Sequence, residues 1–158
     1  MKTTNLKTAA ITALFGIGLL AGCTNSTTNQ KTSDMKTLNL TQEWDKTFPQ
    51  SDKVNHSKVT FTNRYGITLA ADMYVPKNAT GKLPAIAVCG PFGAVKEQAA
   101  GLYAQTMAER GFLTVAFDPS YTGESGGEPR YVVSPDINTE DFSAAVDFLA
   151  TNDKVDPE

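Results

Sequence analysis

The sequence runs to 158 residues with a formal net charge of −3, long enough for one packed core. A single histidine and only two cysteines argue against a zinc site, and the lack of clustered basic residues argues against a nucleic-acid surface. No metal and no cofactor are expected.

Lys2 and Lys7 precede an apolar run, AAITALFGIGLLAG, from Ala9 to Gly22, and Cys23 follows it. A positive start, an apolar stretch and small residues before a cleavage point describe an export signal. The run is shorter than the roughly 20 residues of an ordinary spanning helix. Leu20-Ala21-Gly22-Cys23 resembles the lipobox of bacterial lipoprotein precursors, in which the cysteine is acylated and becomes the new N-terminus. The resemblance implies a signal peptide over 1–22, a lipid on Cys23 and a domain held at the cell envelope, outside the cytoplasm, with the bilayer as a partner. Cys89 then has no disulfide partner. TNSTTNQKTSD, residues 24–34, is polar without an apolar period and reads as a flexible tether. Residues 23–50 are assigned to the lipidated cysteine and tether, with Leu38, Leu40, Trp44 and Phe48 on a short docking helix or a loosely packed arm. The folded domain is assigned to 51–158.

Val59 and Phe61 alternate with threonines, Asn63-Arg64-Tyr65-Gly66 marks a turn, and Ile67, Leu69, Ala71, Met73 and Val75 repeat with period two up to Pro76. This predicts an antiparallel hairpin. His56 lies in a polar lead-in and is expected to be exposed. Ala85–Val88 is a short, nearly all-apolar run, the pattern of a strand buried on both faces. GPFG follows, then a helix whose predicted buried face carries Ala99, Leu102, Tyr103, Thr106 and Met107. Gly111 fits the position just past the helix end. Phe112–Phe117 is a second apolar strand, a glycine-rich loop runs to about Ser134, and Phe142, Ala145, Val146 and Leu149 mark a second helix. Asp136 and Asp141 lie near its start, where negative charge is favoured. Strand–helix–strand of this length gives a right-handed parallel unit. The fold class is α/β, an antiparallel hairpin followed by parallel strands with flanking helices, both apolar strands central.

From about Ser57 the chain resembles the front half of an α/β-hydrolase, nearest the dienelactone-hydrolase-like branch. PAIAVCGPFGAVKEQ, GLYAQTMAERGFLTVAFDPSYTGESGGEPR and NTEDFSAAVDFLATNDKVDPE carry the resemblance. It implies that the loop Gly90, Pro91, Phe92, Gly93, Ala94 supplies half an oxyanion hole, with the Phe92 N–H as donor; proline has no N–H, so Pro91 is excluded. Gly90 and Ala94 depart from the family pattern, in which His and Gly are common there. Lys96 and Glu97 match the family's charged pair and are expected as solvated surface groups. Asp118, Gly123, Ser125 and Gly126 match the loop after the second parallel strand, which shapes the pocket floor; Asp118 is expected to organise it by accepting backbone N–H bonds. Tyr121 and Arg130 are placed either at the substrate or in surface packing.

GESGG, residues 123–127, also matches G-x-S-x-G. A nucleophile elbow needs a strand, a sharp turn at the serine and then a helix. DPSYTGE before Ser125 and GGEPR after it supply neither, so Ser125 is not assigned as nucleophile. The same letters are similar to the serine loop of trypsin-like proteases, with His56 ahead of them, but two all-β barrels do not accommodate the helices. Cys89 reads as a small buried hydrophobe. In the resembled family the nucleophile elbow, the acid and the catalytic histidine follow VDPE, so they are expected after Glu158. The sequence thus implies part of a lipid-anchored hydrolase acting on an ester, lactone or peptide-like bond of a small-molecule or peptide substrate. An inactive truncated relic and a non-enzymatic binding lipoprotein remain open alternatives.

Overall fold

The computed structural model describes residues 37–157, which lie within one compact unit, Ser33–Glu158. Cys23, the signal segment and the 24–34 tether lie outside the described residues. Four strands, β1 (Val54–Thr62), β2 (Thr68–Pro76), β3 (Ala85–Cys89) and β4 (Leu113–Phe117), form one mixed sheet in the order β1-β2-β4-β3. The hairpin pairs Val54 through Thr62 with Pro76 through Thr68, β4 runs antiparallel to β2, and β3 runs parallel to β4 with Cys89 opposite Phe117. Helices α1 (Ala99–Glu109) and α2 (Pro135–Ala150) complete the fold.

The period-two pattern divides the core between the two faces. Phe61, Leu69, Ala71, Val75, Val115 and Phe117 pack with Ala145 and Leu149 of α2. Val54, Tyr74 and Ala116 pack with Ala100, Ala104 and Ala108 of α1. On both helices the buried stripe differs from the predicted one. On α1, Leu102 and Tyr103 are exposed while Ala100, Gly101, Ala104, Gln105 and Ala108 are buried. On α2, Phe142 and Val146 are exposed and Glu140, Asp141 and Ala144 are buried. On α1 a large side chain does not fit at Gly101: a Cβ there would meet the Lys96 carbonyl oxygen and stand 3.1 Å from the Phe48 ring. Gly111 has φ +102° and donates to the Ala108 carbonyl, closing α1 where a Cβ would be strained. Ser134 caps α2 with Pro135 in its first turn, a start signal in the sequence that the charge pattern alone did not use.

Two further placements differ from expectation. His56 belongs to β1 and is half-buried, its Nε2 2.8 Å from Asp72 Oδ1, because the strand begins at Val54 rather than after the polar lead-in. β3 is the outermost of the described strands rather than central. Its outer side is partly paired: Leu83 donates to the Lys154 carbonyl at 2.8 Å and accepts from Asp156 N at 2.8 Å, a parallel bridge centred on Val155.

Residues 37–50 form neither a helix nor a strand, but pack against the α1 face. Phe48 is buried, Trp44 lies edge-on to it with ring centroids 5.6 Å apart, and Trp44 Nε1 donates to the Phe48 carbonyl. Thr47 N donates to the Glu97 carbonyl, and Gln105 Nε2 donates to the Pro49 carbonyl.

Candidate active site

The carboxyl ends of β3 and β4 carry two loops, 90–98 and 118–134. Ala94 N donates to the Pro91 carbonyl at 2.9 Å and Gly93 has φ +79°, a turn whose third residue requires a positive φ. Phe92 is the second residue of this turn. Its N–H takes no part in the turn's own bond and donates to no group among the described residues. Its ring is 82% exposed. Beside it a cavity of about 140 Å³ is lined by Cys89, Phe92, Phe117, Val132, Val133 and Phe142. A second space of about 240 Å³ shares Phe92, Gly93, Thr122 and Val133 with the first. An unengaged donor beside an apolar recess is what a developing oxyanion requires, because the donor is worth most where water is excluded.

Asp118 organises both loops. Its Oδ1 accepts from Lys96 N at 2.8 Å, and its Oδ2 accepts from Glu124 N at 2.9 Å. Gly123, at φ +52°, lies so near that carboxylate that a Cβ would overlap it. Lys96 is fully buried, not solvated. Its Nζ lies 2.8 Å from Asp118 Oδ2, 2.8 Å from Glu124 Oε2 and 2.5 Å from Glu97 Oε1. Burial alone would lower the ammonium, but Asp118, then Glu124 and Glu97, raise it above the ordinary lysine range. Burial opposes the ionisation of Glu124, yet Lys58 and Lys96 hold its carboxyl down at about 2. Nothing in the local pattern around Lys96 marks it as buried; the acid that pairs with it, Asp118, lies 22 positions away.

Asp45, Glu97 and Glu124 bring carboxylate oxygens close enough together to hold a cation. Lys58 Nζ occupies that role, 3.5 Å from Asp45, 3.7 Å from Glu97 and 2.5 Å from Glu124. Lys46 likewise stands 3.1 Å from the buried Asp72. Lysine ammonium groups therefore supply the positive charge of this acidic cluster.

Ser125 is 2% exposed and lies between β2 and β4. Asp118 N donates to the Ala70 carbonyl at 3.0 Å, as in an ordinary antiparallel pair. The return bond is relayed: Ala70 N donates to Ser125 Oγ at 2.8 Å, and Oγ donates to the Asp118 carbonyl at 2.7 Å. The hydroxyl extends the ladder and is fully engaged. Gly126 N continues the pairing to the Thr68 carbonyl. Arg130 staples this loop through the Ser125 and Gly123 carbonyls, and Tyr121 lies against Gly127. Gly90 packs on Ala94, where a Cβ would stand 3.0 Å from the Ala94 Cβ; Pro91 and Gly93 flank Phe92 in the turn. The Cys89 thiol lines the cavity and is pushed up to about 11, first by burial and then by the charge of Asp118, so it is a poor nucleophile at neutral pH. His56 lies on the α1 face of the sheet, engaged by Asp72, and does not line either cavity.

Asn63, Ser120 and Asp141 form a second buried polar cluster that the sequence did not reveal. Asp141 accepts from Ser120 N and Asn63 Nδ2, both at 2.8 Å. It ties α2 to the loop after β4 and to the hairpin turn.

Residues 65–157 match the family described as X-Pro dipeptidyl-peptidase (S15 family). The chain belongs to that family. The assignment corrects the dienelactone-hydrolase-like branch expected from the motifs, since the oxyanion loop and the loop after β4 do not separate branches of the superfamily. This S15-family chain is 69% identical over 144 residues to the uncharacterised protein PA2218 of Pseudomonas aeruginosa, covering 88% of this chain and 39% of that protein. A crystal structure of PA2218 superposes with a TM-score of 0.74 at 76% identity, over 75% of this chain and 37% of that one. The thiohydrolase aneE of Aspergillus aculeatus is 34% identical over 108 residues, 68% of this chain and 33% of its own. The α/β hydrolase GrgF of a Penicillium species matches at 29% identity with a TM-score of 0.57, over 65% of this chain and 34% of that one. The chain therefore spans between a third and two fifths of these relatives. It carries part of an α/β-hydrolase-like fold, with a mixed sheet and flanking helices.

Proposed function

We propose that this chain supplies the oxyanion-binding part of an acyl-transfer site in a lipid-anchored serine or cysteine hydrolase acting on an ester, lactone or peptide-like bond. The observation that carries this is the unengaged N–H of Phe92, a residue that lines a largely apolar recess at the strand ends, in a chain related to a thiohydrolase. Acyl transfer needs a nucleophile, a base within about 2.6–3.2 Å and donors for the oxyanion. Among the described residues the donor is present. Ser125 is committed to the ladder, Cys89 holds its proton, and His56 is on another face. The nucleophile and base are placed after Glu158, in the portion that the longer relatives possess.

The test uses residues 23–158 alone and joined to the remaining portion of PA2218, the 69% identical relative. The first is expected to leave a short-chain nitrophenyl ester at the buffer rate, and the joined protein to hydrolyse it with saturation. Phe92→Pro then removes the donor while suiting the second position of the turn, and should lower kcat by about 10²–10³. Phe92→Ala keeps the N–H and should retain most of the rate. Saturable turnover by residues 23–158 alone, or full activity of Phe92→Pro, would overturn the proposal.

The anchor belongs to the same proposal and rests on Leu20-Ala21-Gly22-Cys23 behind an apolar run. Labelled fatty acid supplied to a bacterial host should mark the protein, and Cys23→Ser should lose the label and release the domain from the envelope. Label retained in that variant would end the anchoring proposal.

A further inference from the structure

We propose that Lys96 is a positioning residue for the oxyanion donor: its buried side chain and its main-chain N–H together clamp the Phe92 turn onto the end of β4. The inference rests on the assignment of Phe92 above, and adds to it what fixes the donor in place.

The 90–95 segment has one internal turn bond, Ala94 N to Pro91 O, and a reciprocal pair between Val95 and Gln98; beyond these it depends on its ends. The first end is fixed by the sheet, since Cys89 pairs with Phe117. The second is fixed by Asp118, the residue directly after β4, which accepts the Lys96 N–H on one carboxylate oxygen and the Lys96 ammonium on the other. The last residue of one central strand and the residue that follows it therefore hold both ends of the segment. A carboxylate gripped twice by one residue fixes both the position and the direction of the chain leaving the turn.

The ammonium also joins this clamp to every element packed around it. Glu124 brings the loop after β4, Glu97 the start of α1, and Lys58 on β1 links Glu97, Glu124 and Asp45. Thr41 N donates to Glu124 Oε1 and Thr47 N to the Glu97 carbonyl, so the 37–50 arm closes over the cluster. On the same face Lys46 Nζ stands 3.1 Å and His56 Nε2 2.8 Å from the buried Asp72 carboxylate. A group that only filled the core would need no such fan of acceptors from separate loops.

Lys96→Met keeps the length of the side chain and removes its charge. Amide hydrogen exchange should then accelerate at least about tenfold at the hydrogen-bonded amides of residues 90–95, Ala94 and Val95, relative to Val115 and Ala116 of β4. In the active joined protein kcat should fall by about 10–100-fold with KM within about twofold. Phe92→Pro added to Lys96→Met should cost less than the product of the two single losses, because the donor is already misplaced. Lys96→Arg, which keeps the charge, should recover part of both effects.

Burying Asp118 without its partner could unfold Lys96→Met, so the double variant Lys96→Met/Asp118→Asn is measured beside it. It removes the unpaired carboxylate at 118 and retains one acceptor for the Lys96 main-chain N–H, while Glu97 and Glu124 keep Lys58; the same local acceleration is expected. Unchanged exchange at 90–95 in every folded variant, or losses from Lys96→Met and Phe92→Pro that simply multiply, would overturn the clamp. Faster exchange at 90–95 together with full activity of Phe92→Pro would instead overturn the oxyanion assignment and leave the clamp standing.

Discussion

Gly101→Ala is expected to destabilise the protein, against the helix-propensity rule. In an exposed helix interior, alanine in place of glycine gains about 1 kcal/mol. Gly101 is buried on the inner face of α1, between the Lys96 carbonyl and the Phe48 ring. A Cβ there would overlap the Lys96 oxygen and lie 3.1 and 3.2 Å from two Phe48 ring carbons. The ring can swing, but the carbonyl belongs to a residue held at its N–H and its ammonium by Asp118. Overpacking typically costs about 1–3 kcal/mol, and overlap with a carbonyl that cannot swing away puts this site at about 2–3 kcal/mol, so after the propensity gain a net loss of about 1–2 kcal/mol remains. With a urea slope of about 1.5 kcal/mol/M, the unfolding midpoint should fall by roughly 1 M. The emission of Trp44, the one tryptophan, reports the transition from within the affected contact. Phe48→Ala in the same chain should rescue only part of the loss, because the carbonyl stays. A midpoint unchanged or raised in Gly101→Ala would refute the packing described for α1 and the arm.

Glu124 ionises at about 2 in the folded chain against an ordinary 4.5. A lowered carboxylate contributes stability that is present above pH 4.5 and lost as the pH falls towards 2. At about 1.4 kcal/mol per pH unit the ceiling is about 3 kcal/mol, reduced to about 1–2 kcal/mol by partial exposure to solvent. Glu124→Gln should flatten the acid limb of the stability curve by that amount, and an unchanged limb would contradict the ion network. Ser125→Ala should cost about 1–3 kcal/mol, since it leaves the Ala70 N–H buried without an acceptor; the wild-type serine should also resist a fluorophosphonate, and an adduct mapped to it would revive the G-x-S-x-G reading. In a Cys23→Ser background, the Cys89 thiol is about 0.1% ionised at pH 8. Its reaction with a disulfide reagent should keep rising about tenfold per pH unit past pH 10; a plateau near pH 9 would show an ordinary thiol.

Alternation and punctuation made most of the architecture legible in the sequence. The hairpin, the two apolar strands, the helix stop at Gly111 and the parallel β3–β4 unit all follow from patterns that local physics enforces. The helix faces were not legible, because hydrophobicity ranks Leu102 and Tyr103 above Ala104 and Gly101, whereas closeness of the backbones selects the small residues. Lys96, Asp72 and Asp141 were missed for a related reason. A charge in the sequence signals solvent unless its partner is known, and partners such as Asp118, Lys46, Ser120 and Asn63 stand 21 to 78 positions away. At the candidate site, the loop carrying Phe92 was singled out through the resemblance to α/β-hydrolases, but the apolar walls from Val132, Val133 and Phe142 were not, since they come from a loop and a helix with no periodic link to it.

The lysines at 46, 58 and 96 have side chains exposed by 0, 7 and 0%, while Lys53, Lys77, Lys82 and Lys154 are exposed. Amine acylation of the native protein, and trypsin, should therefore divide the lysines into two sets, modifying the second and sparing the first. Acylation before folding has a different consequence. Neutralising those three ammonium groups would strand the carboxylates they serve in the interior, so a chain fully acylated in denaturant should fail to regain its compact form when the denaturant is withdrawn.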